Sequence, residues 1–117
     1  TNESCSDIFV VHDQQLYCSW KESHQVMIFS LRNDAEPFNA IGERGICQST
    51  LATLCRPSGI FVLGDKELYV ADTENNRIQR VRYNQTEGEK FIGSEGMIDF
   101  PLSQPATIIM DGLNGWW

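Results

Sequence analysis

Apolar positions along this chain gather in short bursts separated by Gly, Asp, Asn, Gln and Glu. Ile8-Phe9-Val10-Val11, Ile60-Phe61-Val62-Leu63 and Leu68-Tyr69-Val70-Ala71 are the clearest of them. No segment keeps a helical period of apolar residues over three turns, so the pattern predicts strands throughout. In the better-formed half the bursts predict four strands, over residues 59–63, 68–71, 77–83 and 90–92. All are rich in β-branched, aromatic or other apolar side chains and bounded by turn formers. Gly64-Asp65 supplies the turn between the first two, as His12-Asp13-Gln14 does earlier in the chain. The second strand, Leu68-Tyr69-Val70-Ala71, is apolar at every position, which implies cover on both sheet faces. A sheet with one wet face would alternate instead.

The bursts also repeat. Shifted by 52 positions, Ile8-Phe9-Val10 falls on Ile60-Phe61-Val62, Leu16-Tyr17 on Leu68-Tyr69, and Val26 on Ile78. Ser23-His24 then falls on Asn75-Asn76. Shifts of 51 and 48 bring Ile41-Gly42 onto Ile92-Gly93, and Leu54-Cys55-Arg56-Pro57 onto Leu102-Ser103-Gln104-Pro105. The change of offset puts a length difference in the linker near residues 47–50, outside the strands. The chain therefore reads as one repeat region over residues 1–117, with units at about 5–56 and 57–104 and the start of a third at 105–117. Four-stranded sheets stacked between neighbours, repeating at about 50 residues, are β-propeller blades. The fold expected is all-β: a partial β-propeller of about two four-stranded antiparallel blades plus the start of a third.

Residues 56–81, "RPSGIFV…ELYVADTENNRIQRV", resemble the NHL repeat, a propeller blade motif with a P-x-G-[IV] opening and an L-Y-V-A-D-x-x-N-x-R-[IV] centre. The first unit keeps the apolar frame but has Trp20 where Asp72 stands and Gln25 where Arg77 stands. The pairing of L-Y-C-S and H-Q-V in one unit with the full motif in the next is similar to extracellular NHL-repeat proteins of invertebrates. The resemblance implies a rigid platform whose loops bind a protein or glycan ligand, without catalysis. Another propeller group that resembles NHL repeats, the peptidyl-hydroxyglycine amidating lyases, carries the alternative: a fragment of a propeller lyase or hydrolase. That reading needs several His residues from different blades, and only His12 and His24 are available, both expected at exposed turns.

Composition narrows the setting. Nine basic against 16 acidic residues give a net charge of −7, which disfavours nucleic acid or an anionic membrane as partner. No apolar run approaches the roughly 20 residues of a transmembrane helix. The chain begins at Thr1, as a processed product or a piece of something longer would. Cys5, Cys18, Cys47 and Cys55 fit no zinc-ligand spacing. Four cysteines allow three pairings, of which two local bridges, Cys5 with Cys18 and Cys47 with Cys55, are favoured. With the sequons at Asn2 and Asn84 they point to a secreted or extracellular glycoprotein. No D-x-D-x-D-G calcium loop occurs, and neither a metal nor a cofactor is expected.

The polar knot 72–77 interrupts two apolar strands, and its Asp72 and Arg77 could be read as a catalytic pair. Asp72, Asn75, Asn76 and Arg77 are better explained as turn chemistry, because Asx side chains bond nearby backbone and tolerate left-handed conformations. Arg77 can return a charge-assisted bond to Asp72 across the turn. Arg77, Arg80 and Arg82 read as arginines snorkelling from a packed strand. Two blades and part of a third cannot close a ring. The open ends are therefore expected to meet further blades of the same chain or other copies.

Overall fold

The computed structural model describes residues 4–12, 14–32, 35–64, 66–82, 85–108, 110–111 and 115–116. The sequons' Asn2 and Asn84, the turn residues Asp13 and Asp65, and Tyr83 lie outside them. Strands β1 (Asp7–Val11), β2 (Gln15–Trp20), β3 (Gln25–Ser30) and β4 (Phe38–Gly42) form one antiparallel sheet in the order β1-β2-β3-β4. Strands β5 (Ile60–Leu63), β6 (Glu67–Asp72), β7 (Arg77–Arg82) and β8 (Glu89–Gly93) form a second, also in sequence order. A short β10 (Met110–Asp111) pairs with β11 (Gly115–Trp116) at the start of the third unit. The architecture is that of a partial propeller.

Each strand pair of the first sheet has its counterpart in the second. Ile8 faces Cys18 and Leu16 faces Phe29 in the first; Ile60 faces Val70 and Leu68 faces Val81 in the second, each 52 positions on. The third strand shifts register between Val26 and Met27, and again between Ile78 and Gln79. Left-handed backbone recurs at the same places: His12 (φ 53°) and Gly64 (65°), His24 (64°) and Asn76 (55°), Arg56 (52°) and Gln104 (47°). Gly42 (φ 101°) and Gly93 (147°) end the fourth strand of each sheet. A Cβ on Gly42 would overlap the His24 carbonyl oxygen, so both backbone angle and space demand glycine there.

Side-chain alternation along the strands divides the interior into two layers. Val11, Tyr17, Val26, Ile28 and Ile41 of the first sheet meet Ile60, Val62, Leu68, Val70 and Val81 of the second, with Leu54 from the linker fully buried among them. Phe9 touches Phe61 edge to face at 5.1 Å along this seam. The far face of the second sheet, Tyr69, Ala71, Ile78 and Phe91, is covered by Leu102 and Ile108 of the following segment. This is why β6 is apolar at consecutive positions: both its faces are buried.

Three details depart from the sequence-based expectation. The strand before the knot runs one residue further, so Asp72 belongs to the end of β6. The second sheet also has a fifth strand, β9 (Ile98–Asp99), which pairs in parallel with β8. Gly93 and Glu95 (φ 65°) turn the chain back sharply enough for Ile98 to lie opposite Ile92. Finally, neither Arg77 nor Arg80 snorkels to water, whereas Arg82 is exposed. Arg80 is buried, donating through Nε and Nη2 to Glu89 Oε1 at 3.0 and 2.8 Å, with its guanidinium 4.9 Å from the Phe91 ring centre.

Candidate functional site

The polar knot is built around a buried ion pair. A single 3-10 turn, Thr73–Asn75, and a left-handed Asn76 reverse the chain between β6 and β7, and bring Arg77 opposite Asp72. Arg77 Nε donates to Asp72 Oδ2 at 2.7 Å, and both side chains are essentially inaccessible to water. Asn75 Nδ2 donates to the same oxygen at 2.9 Å. The remaining valences leave the turn altogether. Asp72 Oδ1 accepts the Cys55 backbone N–H at 2.7 Å. Arg77 donates to the carbonyls of Ser49, Thr50 and Thr53 at 2.9, 2.7 and 2.9 Å, and Asn75 also donates to Gln48 O. The knot therefore clamps the linker between the sheets as well as shaping its own turn. Sequence spacing located the pair, but its linker partners lie 17 to 28 positions away and carry no side-chain signature.

The structure joins Cys5 to Cys18 and Cys47 to Cys55. The second bridge closes the linker beside the clamp. His24 is half-buried there rather than exposed: its Nδ1 accepts the Arg56 backbone N–H at 2.9 Å. Asn76 Oδ1 accepts the Gln104 N–H at 2.8 Å in the equivalent junction, so His24 does the work of an asparagine. His12 is exposed in its turn. Nitrogen of His24 and the sulfurs of Cys47 and Cys55 lie within 4.8 Å of one another. The sulfurs share a disulfide and the imidazole acceptor is occupied, so the group is organised for packing in this state.

A cleft of about 350 Å³ opens between the two sheets, at the end carrying the β1–β2, β3–β4, β5–β6 and β7–β8 connections. Its floor is apolar: Tyr17 and Ile28 from the first sheet, Leu68 and Val81 from the second. Its mouth carries Phe38, 55% exposed, with Gln15, Asn39, Lys66, Gln85 and Thr86. Glu67 and Arg82 stand side by side at the rim, Nε to Oε2 at 3.4 Å, and the Tyr69 hydroxyl donates to Glu67 Oε1 at 2.9 Å. Burial raises the Tyr69 phenol above its ordinary value; its bond to Glu67 adds to this and Arg80 opposes it. Lys66 is exposed and makes no ion pair among the described residues. The size falls within the range of ligand pockets, roughly 300–1,000 Å³, with the usual mixture of apolar walls and a few polar groups. Nothing in the sequence marked this cleft, because it joins positions from two units that are each ordinary strand ends.

Among the described residues no helix is long and apolar enough to cross a membrane. A search of curated proteins returns no match. The family model of the NHL repeat matches residues 54–81, which run from Leu54 in the inter-sheet layer, through the clamp, to Val81 on the cleft floor. The chain thus carries an NHL repeat, set in an all-β, partial-propeller architecture that supports a binding scaffold.

Proposed function

We propose that this chain is a non-catalytic propeller segment of a secreted or extracellular protein, holding protein or glycan ligands on the surface formed by its strand connections. The observation that carries this reading is the disposition of the charged knot. Asp72 and Arg77 lie buried with their hydrogen bonds directed to linker backbone, while the open cleft, at the opposite end of β6 and β7, has an apolar floor. A carboxylate or guanidinium held in that way stiffens a platform and has no valence turned toward a substrate. The two disulfides are compatible with an oxidising compartment.

The competing reading, a piece of a propeller lyase or hydrolase, differs in what it requires of the isolated chain. The oxidised 117-residue protein, offered a panel of extracellular protein and glycan probes, is expected to show saturable binding. In parallel it is expected to leave peptidyl-hydroxyglycine substrates unchanged. Turnover of such a substrate by the purified chain would replace the scaffold reading with the enzymatic one.

A further inference from the structure

We infer that the inter-sheet cleft is a docking site for an extended peptide that inserts one large apolar side chain and carries carboxylates beside it. The inference rests on the scaffold reading above and names the partner for one site on it. Tyr17, Ile28, Leu68 and Val81, all at most 8% exposed, form a floor made mostly of apolar atoms. A sugar would place hydroxyls against that floor without partners, which costs free energy. An aromatic or branched aliphatic side chain buries apolar area there instead, the pattern of an anchor in a pocket.

Apolar surface continues at the mouth, where Phe38 is 55% exposed. A large exposed apolar side chain at the rim of a concave site is placed to meet a partner. Electrostatics select the flanks. Glu67 already accepts from Tyr69 and pairs with Arg82, whereas Lys66 stands at the rim with its charge uncompensated among the described residues. In a chain of net charge −7, Lys66 and Arg82 outnumber Glu67 among the cleft's described lining residues, a local positive excess that attracts a carboxylate. Both sheets contribute to the floor, and the clamp fixes the linker between them. The cleft is therefore preformed, which lowers the ordering cost of binding.

The test is fluorescence polarisation with the oxidised full chain and a labelled seven-residue peptide bearing a central phenylalanine flanked by glutamates. Binding is expected to weaken by about tenfold when the phenylalanine becomes alanine, and similarly when the glutamates become lysines. On the protein, Lys66→Glu and Phe38→Ala alter exposed side chains and are expected to weaken the acidic peptide by about three- to tenfold while leaving the urea midpoint in place. Lys66→Arg is expected to retain binding. Equal affinity for the lysine-flanked peptide, indifference to both protein substitutions, or no binding by the folded protein would each overturn the inference. So would binding of a neutral oligosaccharide that Phe38→Ala abolishes, an outcome that leaves the scaffold reading standing. Lyase turnover would remove the scaffold reading itself.

Discussion

Replacing Arg77 by methionine is the sharpest test of what the NHL motif's charged residues do. The Asp72–Arg77 contact is 2.7 Å, which at an effective dielectric of 20 corresponds to an attraction of about 6 kcal/mol. Desolvating two ions costs several kcal/mol each, so the pair taken alone is close to neutral. Removing one partner is a different matter. Arg77→Met leaves a buried Asp72 carboxylate with only the Asn75 and Cys55 donors, and frees the carbonyls of Ser49, Thr50 and Thr53. The expected loss is about 3–5 kcal/mol, a large share of the roughly 5–15 kcal/mol that stabilises a domain of this size. Urea unfolding followed by tryptophan fluorescence, with disulfides intact, measures it. The double variant Asp72→Leu/Arg77→Met separates two accounts. Were the pair an isolated buried salt bridge, an apolar replacement would be nearly neutral. As a linker clamp, it leaves three carbonyls and the Cys55 N–H without their partners, and about 2–4 kcal/mol should remain lost. A double variant within about 1 kcal/mol of the parent would refute the clamp.

Four further expectations test neighbouring parts. Leu54→Ala empties the middle of the inter-sheet layer, where the side chain is fully buried, and should cost about 2–5 kcal/mol by the same urea measurement. Gly42→Ala combines left-handed backbone with overlap on the His24 carbonyl and should lower stability by about 2–4 kcal/mol, seen as a fall in Tm. His24→Asn keeps a side-chain acceptor for Arg56 N–H and should be tolerated, whereas His24→Leu should lose about 1 kcal/mol; equal losses would deny the equivalence with Asn76. Because the Tyr69 phenol titrates above its ordinary 10.0 in the folded state, the stability it contributes is complete below pH 10 and declines as pH rises toward the folded value. Urea midpoints between pH 9 and 11.5 should show that decline, at roughly the ionisation range of a phenol, and Tyr69→Phe should flatten it.

The fold was legible in the sequence because it lives on apolar spacing. The 52-residue shift that aligned Ile8 with Ile60 reappears as matching registers, matching irregularities in the third strands and matching left-handed residues. Strand ends were less legible. Asp72 is polar and so suggests part of the turn, yet it completes β6 because its carboxylate is neutralised inside the protein. Arg80 misled for the same reason: a long cation in a strand suggests snorkelling unless its partner is known, and Glu89 and Phe91 come from the neighbouring strand. The parallel β9 has only two residues, too few for any periodicity to show. The cleft was invisible because neither unit contains it.

The two units also differ in a way that the shared frame makes intelligible. Each sheet must fix the segment that leads into its first strand. The second does so with the Asp72–Arg77 clamp, which grips residues 49–55, reinforced by the Cys47–Cys55 bridge. In the first, the equivalent positions hold Trp20 and Gln25, neither able to make that ion pair. Trp20 instead lies against Phe29, with ring centres 6.0 Å apart, and Arg44 sits 5.9 Å over it. Gln25 donates to Asn39 Oδ1 at 3.1 Å. The leading segment of the first sheet is tied instead by Cys5–Cys18, which fastens residue 5 directly to the middle of β2. A covalent tie has thus taken the place of an ionic one. Both engineered losses should reflect this. Each bridge, closing a loop of similar length, contributes about 2–3 kcal/mol by chain entropy alone. Losing Cys47–Cys55 leaves the clamp in place, so a Cys47→Ser/Cys55→Ser chain should keep slow hydrogen exchange at Cys55's replacement amide, still bonded to Asp72. Losing Cys5–Cys18 leaves the Ser6 hydroxyl's bonds to Ser19 and Pro57 O but no buried ion pair among the described residues, so Cys5→Ser/Cys18→Ser should speed exchange at the Ser6 amide, now bonded to Ser19 O, more than the other variant speeds it at residue 55. Equal protection at both amides in the two variants would show that the ties are not substitutes for one another.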